Sequence, residues 1–181
     1  MLGSGLKLLI SILISIKIIM KLLILIRHAK SSHESGLRDI ERPLSESGFF
    51  DAALVAGAAA DIFDKESVIY ISTARRTRDT AAIFAKRFPE MFSTADYSAD
   101  LYTFNVSELE AFIKNIDDSH DRVIVFGHNE AITDFVNKFG DILIDNVPTC
   151  GLVPITFDTD SWKSIRRGTT GRCIFPKDLR T

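Results

Sequence analysis

Residues 21–26, KLLILI, form a run of strand length that ends directly in Arg27-His28. The alternation of apolar and polar residues that marks a half-wet strand is missing. Such a strand belongs in the middle of a sheet with both faces covered, so the rest of the chain has to supply two covering layers. Strand-like runs recur at residues 68–71, 122–126 and 152–157, and helical patterns lie between them. Ser45 is placed to cap an Ala-rich helix over 48–62. A second helix over 76–88 stops at Pro89, a third runs from a Ser107 cap to residue 116, and a fourth over 131–139 stops at Gly140. Residues 97–102 allow a short strand, and 162–166 read as an edge strand. Strands alternating with helices predict an α/β fold, a three-layer sandwich with a mostly parallel central sheet.

The 181 residues are enough for one domain with a real core. A natural start lies at Met20, which gives a division into an apolar extension, residues 1–19, and one domain over 20–181. Two readings of the extension stand. It is an upstream extension of the reading frame or a loose amphipathic segment, or else a membrane anchor or uncleaved signal segment. Lys7 and Lys17 break the run, and the nine residues 8–16 between them fall short of the roughly 20 apolar residues that span a bilayer. Small residues arranged for signal cleavage are absent.

The formal net charge is −2, so nothing global points to nucleic acid, and an anion site has to come from a local cluster of cations. The two cysteines, Cys150 and Cys173, form neither metal-ligand spacing nor a disulfide framework. That usage fits a reducing cytoplasm. Cys150 reads as a small core side chain, and His33 and His120 read as surface residues.

Three strand-like runs end in unusual polar residues: Arg27-His28, Ser72-Thr73-Ala74-Arg75-Arg76, and Gly127-His128-Asn129. Ligands of open α/β sheets bind outside the carboxyl ends of the strands. Brought together there, two arginines and two histidines suit a phosphoryl group, because guanidinium groups stay charged and bind its oxygens in pairs. Histidine is also a competent covalent nucleophile when its ring is neutral. Each element has a plainer reading. Arg-His after a strand is an ordinary polar turn, Arg76 a solvated helix-start cation, and Asn129 a helix cap as readily as a ligand.

Taken together, RHAKSS, RPLSESG, STARRTRDTA and GHNEAI resemble the histidine phosphatase superfamily, whose fold is phosphoglycerate mutase-like, and within it the SixA-like phosphohistidine phosphatases. The resemblance runs from about residue 21 to the C-terminus. It implies that His28 accepts the phosphoryl group while Arg27, Arg76 and His128 hold its oxygens, with no metal and no cofactor. Ala29 stands where the family usually has glycine. Arg42, Ser31 and Asn129 are candidate substrate-binding residues, and Lys30 and Ser32 are placed near the mouth. The implied substrate is phosphohistidine on a signalling protein, such as a histidine phosphotransfer or kinase domain. A small phosphomonoester is the alternative within enzymes, and the chain lacks the length for the insertions of a mutase.

The general acid of larger relatives has no clear counterpart, and Asp100 is the one weak candidate. A missing acid favours a phosphorus–nitrogen bond, whose imidazole leaves far more easily than an alkoxide. A rival of another class is a non-catalytic phosphate- or phosphohistidine-binding module.

Overall fold

The computed structural model describes residues 20–32 and 36–180. The extension over 1–19, with both readings of it, and His33 lie outside the described residues. Six strands form one sheet: β1 (Lys21–Arg27), β2 (Val68–Ser72), β3 (Asp96–Ser98), β4 (Arg122–Gly127), β5 (Leu152–Phe157) and β6 (Thr169–Thr170). Their order across the sheet is β3-β2-β4-β1-β5-β6. The β1–β4, β4–β2 and β2–β3 pairs are parallel, and β5 returns antiparallel to β1.

β1 is buried on both faces, as its composition requires. Leu23 and Leu25 join one apolar cluster with Val123, Val125, Val153 and Ile155, and Ile24 and Ile26 join the other with Ile69, Ile71, Ile124 and Phe126. This is the period-2 pattern of a pleated strand, apolar on both sides because both sides are covered. The first cluster lies under α4 (Val106–Lys114) and α5 (Ala131–Phe139), the second under α1 (Glu46–Ala58) and α2 (Arg75–Arg87). The result is the three-layer α/β sandwich. Among the described residues no helix is long and apolar enough to cross a membrane.

Several local expectations shift. Ser45 caps α1, its side chain accepting from Gly48 N, and the helix covers 46–58 rather than 48–62. Phe88 ends α2, but Pro89 then opens a one-turn α3 (Pro89–Phe92), because proline at the first helical position gives up only an N–H that has no partner there. α4 is capped by Asn105, whose side chain accepts from Ser107 N, and not by Ser107. Residues 162–166 are not an edge strand. Trp162 opens a 3-10 turn and is fully buried, its indole N–H donating to the His120 carbonyl at 2.8 Å, and the edge is formed by Thr169–Thr170.

The register fixes the site. Arg27 lies opposite Gly127 across the β1–β4 pair, and Ile71 lies opposite Phe126 across β2–β4. Arg27-His28, Ser72 and Gly127-His128 therefore share one edge of the sheet.

Candidate active site

His28 is the first residue beyond β1, and its backbone is held by the neighbouring strand ends. Its N–H donates to the Gly127 carbonyl at 3.0 Å, and its carbonyl, with that of Arg27, accepts from Cys150 N. Cys150 sits at φ 60°, a left-handed conformation that residues other than glycine rarely adopt. Its side chain is fully buried and its thiol is pushed up by burial, in keeping with a core role. The next N–H, of Ala29, donates to Thr80 Oγ1, which donates in turn to the Arg76 carbonyl and ties this turn to α2.

The tautomer of His28 follows from one hydrogen bond. His28 Nδ1 lies 2.8 Å from the Ala29 carbonyl. A carbonyl only accepts, so Nδ1 carries the hydrogen and Nε2 carries the lone pair. Burial, with added pressure from Arg76, Arg27 and Arg42, lowers the ring's pKa to about 3 against an opposing pull from the Ala29 carbonyl. The ring is neutral near pH 7.

Arg76, in the first turn of α2, is 2% exposed. It donates to the Asp39 carbonyl at 2.7 Å, to Asp39 Oδ2 at 3.0 Å and to His128 Nδ1 at 3.2 Å. Since His128 Nδ1 accepts, its Nε2 is the donor, to Ser72 Oγ at 2.8 Å with Thr77 Oγ1 at 3.3 Å. Burial foremost lowers the His128 pKa to about 2. The two histidine rings stand 5.2 Å apart, and Tyr102 and Phe104 pack against His128 from outside at 5.3 and 5.5 Å.

The other two arginines come from loops and strand ends. Arg42 donates to Ser31 Oγ, the Ser32 carbonyl and Asp39 Oδ1. Arg27 donates to the Val147 carbonyl at 2.7 Å and to Asn146 Oδ1 at 3.3 Å, while its buried Nε has no partner. That orphaned donor, beside two further guanidinium groups, is what a site for an oxyanion would supply. Arg27, His28, Lys30, Ser31, Asp39, Arg42, Arg76, Phe104 and Thr149 line a cavity of about 280 Å³. No cluster of His, Cys, Asp or Glu side chains able to hold a metal ion occurs among the described residues.

The structure thus brings Arg27, His28, Arg42, Ser31 and Arg76 together around one cavity, with His128 packed against it. Asn129 is not among the lining residues. It donates to Asn146 Oδ1 and accepts from Thr133 N and Oγ1, bonding the first turn of α5, whose N-cap is Glu130, and steadying the partner of Arg27. Asp100 is misplaced as an acid. It sits in a 3-10 turn beyond β3 and lines a different cavity, of about 540 Å³, with Tyr70, Glu108 and Phe112. That larger cavity holds no histidine or arginine. The residues missed from the sequence are Asp39, Tyr102 and Phe104. For Asp39, the Asp-x-x-Arg spacing to Arg42 is the one available signal.

Residues 23–110 match the model of the histidine phosphatase superfamily, branch 1. Over these residues the chain is similar to the histidine phosphatase superfamily. An uncharacterized protein of Mycobacterium tuberculosis, found in two strains, is 30% identical over 102 residues, which is 56% of this chain and 61% of the relative. A tungstate complex of the protein histidine phosphatase SixA covers 88% of this chain and 99% of its own at 18% identity and TM-score 0.73. A putative phosphohistidine phosphatase SixA from Nakamurella multipartitia covers 87% and 96% at 21% identity and TM-score 0.69. A phosphoglycerate mutase from Bacillus anthracis covers 78% and 89% at 16% identity and TM-score 0.63. At these identities the structural likeness shows the phosphoglycerate mutase-like fold.

Proposed function

We propose that this chain is a metal-independent phosphatase of the histidine phosphatase superfamily that moves a phosphoryl group onto Nε2 of His28 and then to water, and that its substrate is phosphohistidine on a signalling protein. The observation that carries the reading is the pairing of a neutral ring, its Nδ1–H pinned to the Ala29 carbonyl, with three guanidinium groups around one cavity.

In the first step the Nε2 lone pair forms a bond to phosphorus as the bond to the leaving group breaks. The phosphoryl charge is spread over three oxygens, which Arg27, Arg42 and Arg76 are placed to hold. The phosphorylated His28 ring is cationic, because Nδ1 keeps its hydrogen, and the Ala29 carbonyl stabilises that charge. In the second step water bonds to phosphorus, the Nε2–phosphorus bond breaks, and inorganic phosphate leaves with the neutral ring restored.

The choice of substrate rests on proton supply. Among the described residues the one carboxyl group lining the cavity, Asp39, is held at a pKa of about 2 against the pull of desolvation, by bonds to Tyr102, Arg42 and Arg76 and the charge of Arg76. It is ionised at neutral pH and has no proton to give an alkoxide. Phosphohistidine needs none from the chain when its second ring nitrogen already carries a proton, since the imidazole then leaves as a neutral base. The fold neighbours named for phosphohistidine phosphatase activity fit the same reading.

The test compares a histidine-phosphorylated phosphotransfer domain with aryl and sugar phosphates, using the chain and its His28→Ala variant. Turnover of phosphohistidine should exceed that of the sugar phosphate by about a hundredfold or more, on the order of what a general acid contributes. An acid-labile label should appear on the wild-type chain alone. Phosphate release that survives His28→Ala removes the nucleophile assignment, and binding without turnover marks a recognition module instead.

A further inference from the structure

Asp39 places a carboxylate inside a cavity whose other charged lining residues, among those described, are all cations. Its Oδ2 accepts from Arg76 at 3.0 Å and from the Tyr102 hydroxyl at 2.7 Å, and its Oδ1 accepts from Arg42 at 3.0 Å. Two of the three guanidinium groups in the cavity are therefore already engaged by an anion that belongs to the chain.

A carboxylate in such a place has two possible jobs, to orient the arginines or to compete with the ligand. The contacts separate them. Arg76 has orienting partners apart from the carboxylate, namely the Asp39 backbone carbonyl at 2.7 Å and His128 Nδ1 at 3.2 Å. Arg42 is likewise fixed by Ser31 Oγ at 2.7 Å and the Ser32 carbonyl at 3.0 Å. Removing the side-chain charge leaves all four of these bonds in place. What the carboxylate alone contributes is a negative charge within hydrogen-bond reach of the groups that must take the phosphoryl oxygens. With its side chain 46% exposed, it also has room to yield to an incoming anion.

We infer that Asp39 is an affinity-setting residue, a resident competitor that keeps the hold of the cavity on inorganic phosphate loose so that product leaves. The inference rests on the reading that this cavity takes phosphoryl groups. Its consequence is opposite in sign to that of an orienting residue. Neutralising Asp39 tightens phosphate binding, whereas loss of an orienting group weakens it. Two like charges a few ångströms apart near a protein surface repel by kilocalories per mole rather than tenths, so the effect is measurable despite screening.

The experiment is titration calorimetry of inorganic phosphate into the full chain, wild type against Asp39→Asn, Asp39→Ala and Asp39→Glu. The Asn variant should bind phosphate about tenfold more tightly, equal to about 1.4 kcal/mol, and phosphate should become a stronger product inhibitor by the same factor. The Ala variant, which keeps the backbone carbonyl for Arg76, should shift in the same direction, and Glu should return binding toward wild type. Equal or weaker phosphate binding by folded Asn and Ala variants of a wild-type chain that does hydrolyse phosphohistidine overturns the role of Asp39 alone. A wild-type chain that neither binds phosphate nor hydrolyses overturns the phosphatase reading, and this inference with it.

Discussion

Gly48 lies so close to the Lys30 carbonyl that no side chain fits between them. The contact is with backbone, which cannot rotate away, and the same carbonyl accepts from Ser45 N at 2.9 Å and from Ser45 Oγ at 3.1 Å. The start of α1 is thus moulded onto the turn that follows His28. Gly48→Ala should cost stability at the upper end of the 1–3 kcal/mol typical of overpacking, about 3 kcal/mol, and should lower kcat by displacing the turn. Urea denaturation and steady-state kinetics on the same preparation check both. A variant as stable and as active as wild type removes the packing account of this glycine.

Arg76 sets the proton on His128 as well as holding an anion. Arg76→Lys keeps the charge but loses the planar fork that reaches Asp39 and His128 together. Turnover should fall by about a hundredfold or more, the usual loss when one preorganised donor is removed. The His128 ring nitrogens should also exchange tautomers, visible in nitrogen-15 spectra. A change in KM alone, with kcat intact, contradicts this role.

His28 and His128 make stability depend on pH in a stated direction. In the unfolded chain each ring takes up a proton near pH 6.5, while in the folded chain His28 waits until about pH 3 and His128 until about pH 2. The unfolded state binds more protons over that interval, so stability is full above pH 6.5 and falls as pH drops toward 3. Between pH 6.5 and 5, above the range of the carboxylates, the slope should approach about 1.4 kcal/mol per pH unit for each histidine. Denaturation midpoints for wild type and His128→Asn measure it, and the variant's slope should be smaller by one proton. Resonances of both rings that stay flat from pH 8 to 5 are the matching spectroscopic result.

Asp100 faces the cavity beside Tyr70, away from His28. Asp100→Asn should leave kcat/KM within about twofold of wild type, the range of an ordinary surface change. A drop of an order of magnitude in turnover of a phosphomonoester restores Asp100 as an acid.

What could be read from the residues follows from what has a period. β1, β2, β4 and β5 are apolar runs, and their ends place Arg27, His28, Arg76 and His128 with no knowledge of the loops. Asp39, Tyr102 and Phe104 sit in segments without periodicity, and only the reach of Arg76 and the packing against His128 bring them to the cavity. Asp100 stands two residues before Tyr102, yet the 3-10 turn between them sends it to another cavity. From the residues alone, 162–166 read as an edge strand. The Trp162 indole instead found both an apolar cluster and an acceptor in the His120 carbonyl, which together outweigh a strand edge.

The strand order also carries a message about synthesis. β1 is the earliest in the chain of the six described strands, yet its neighbours in the sheet are β4 and β5. β1, with His28 at its end, is translated before its neighbours and then waits, edge unpaired, until roughly a hundred further residues have emerged, a long closure of the kind that slows folding. Arg76 and His128 join it only when the helix after β2 and the end of β4 have arrived. A nascent chain halted before β5 therefore carries His28 but leaves one side of β1 unpaired, and the sheet around the cavity is complete only once residues 152–157 have been made.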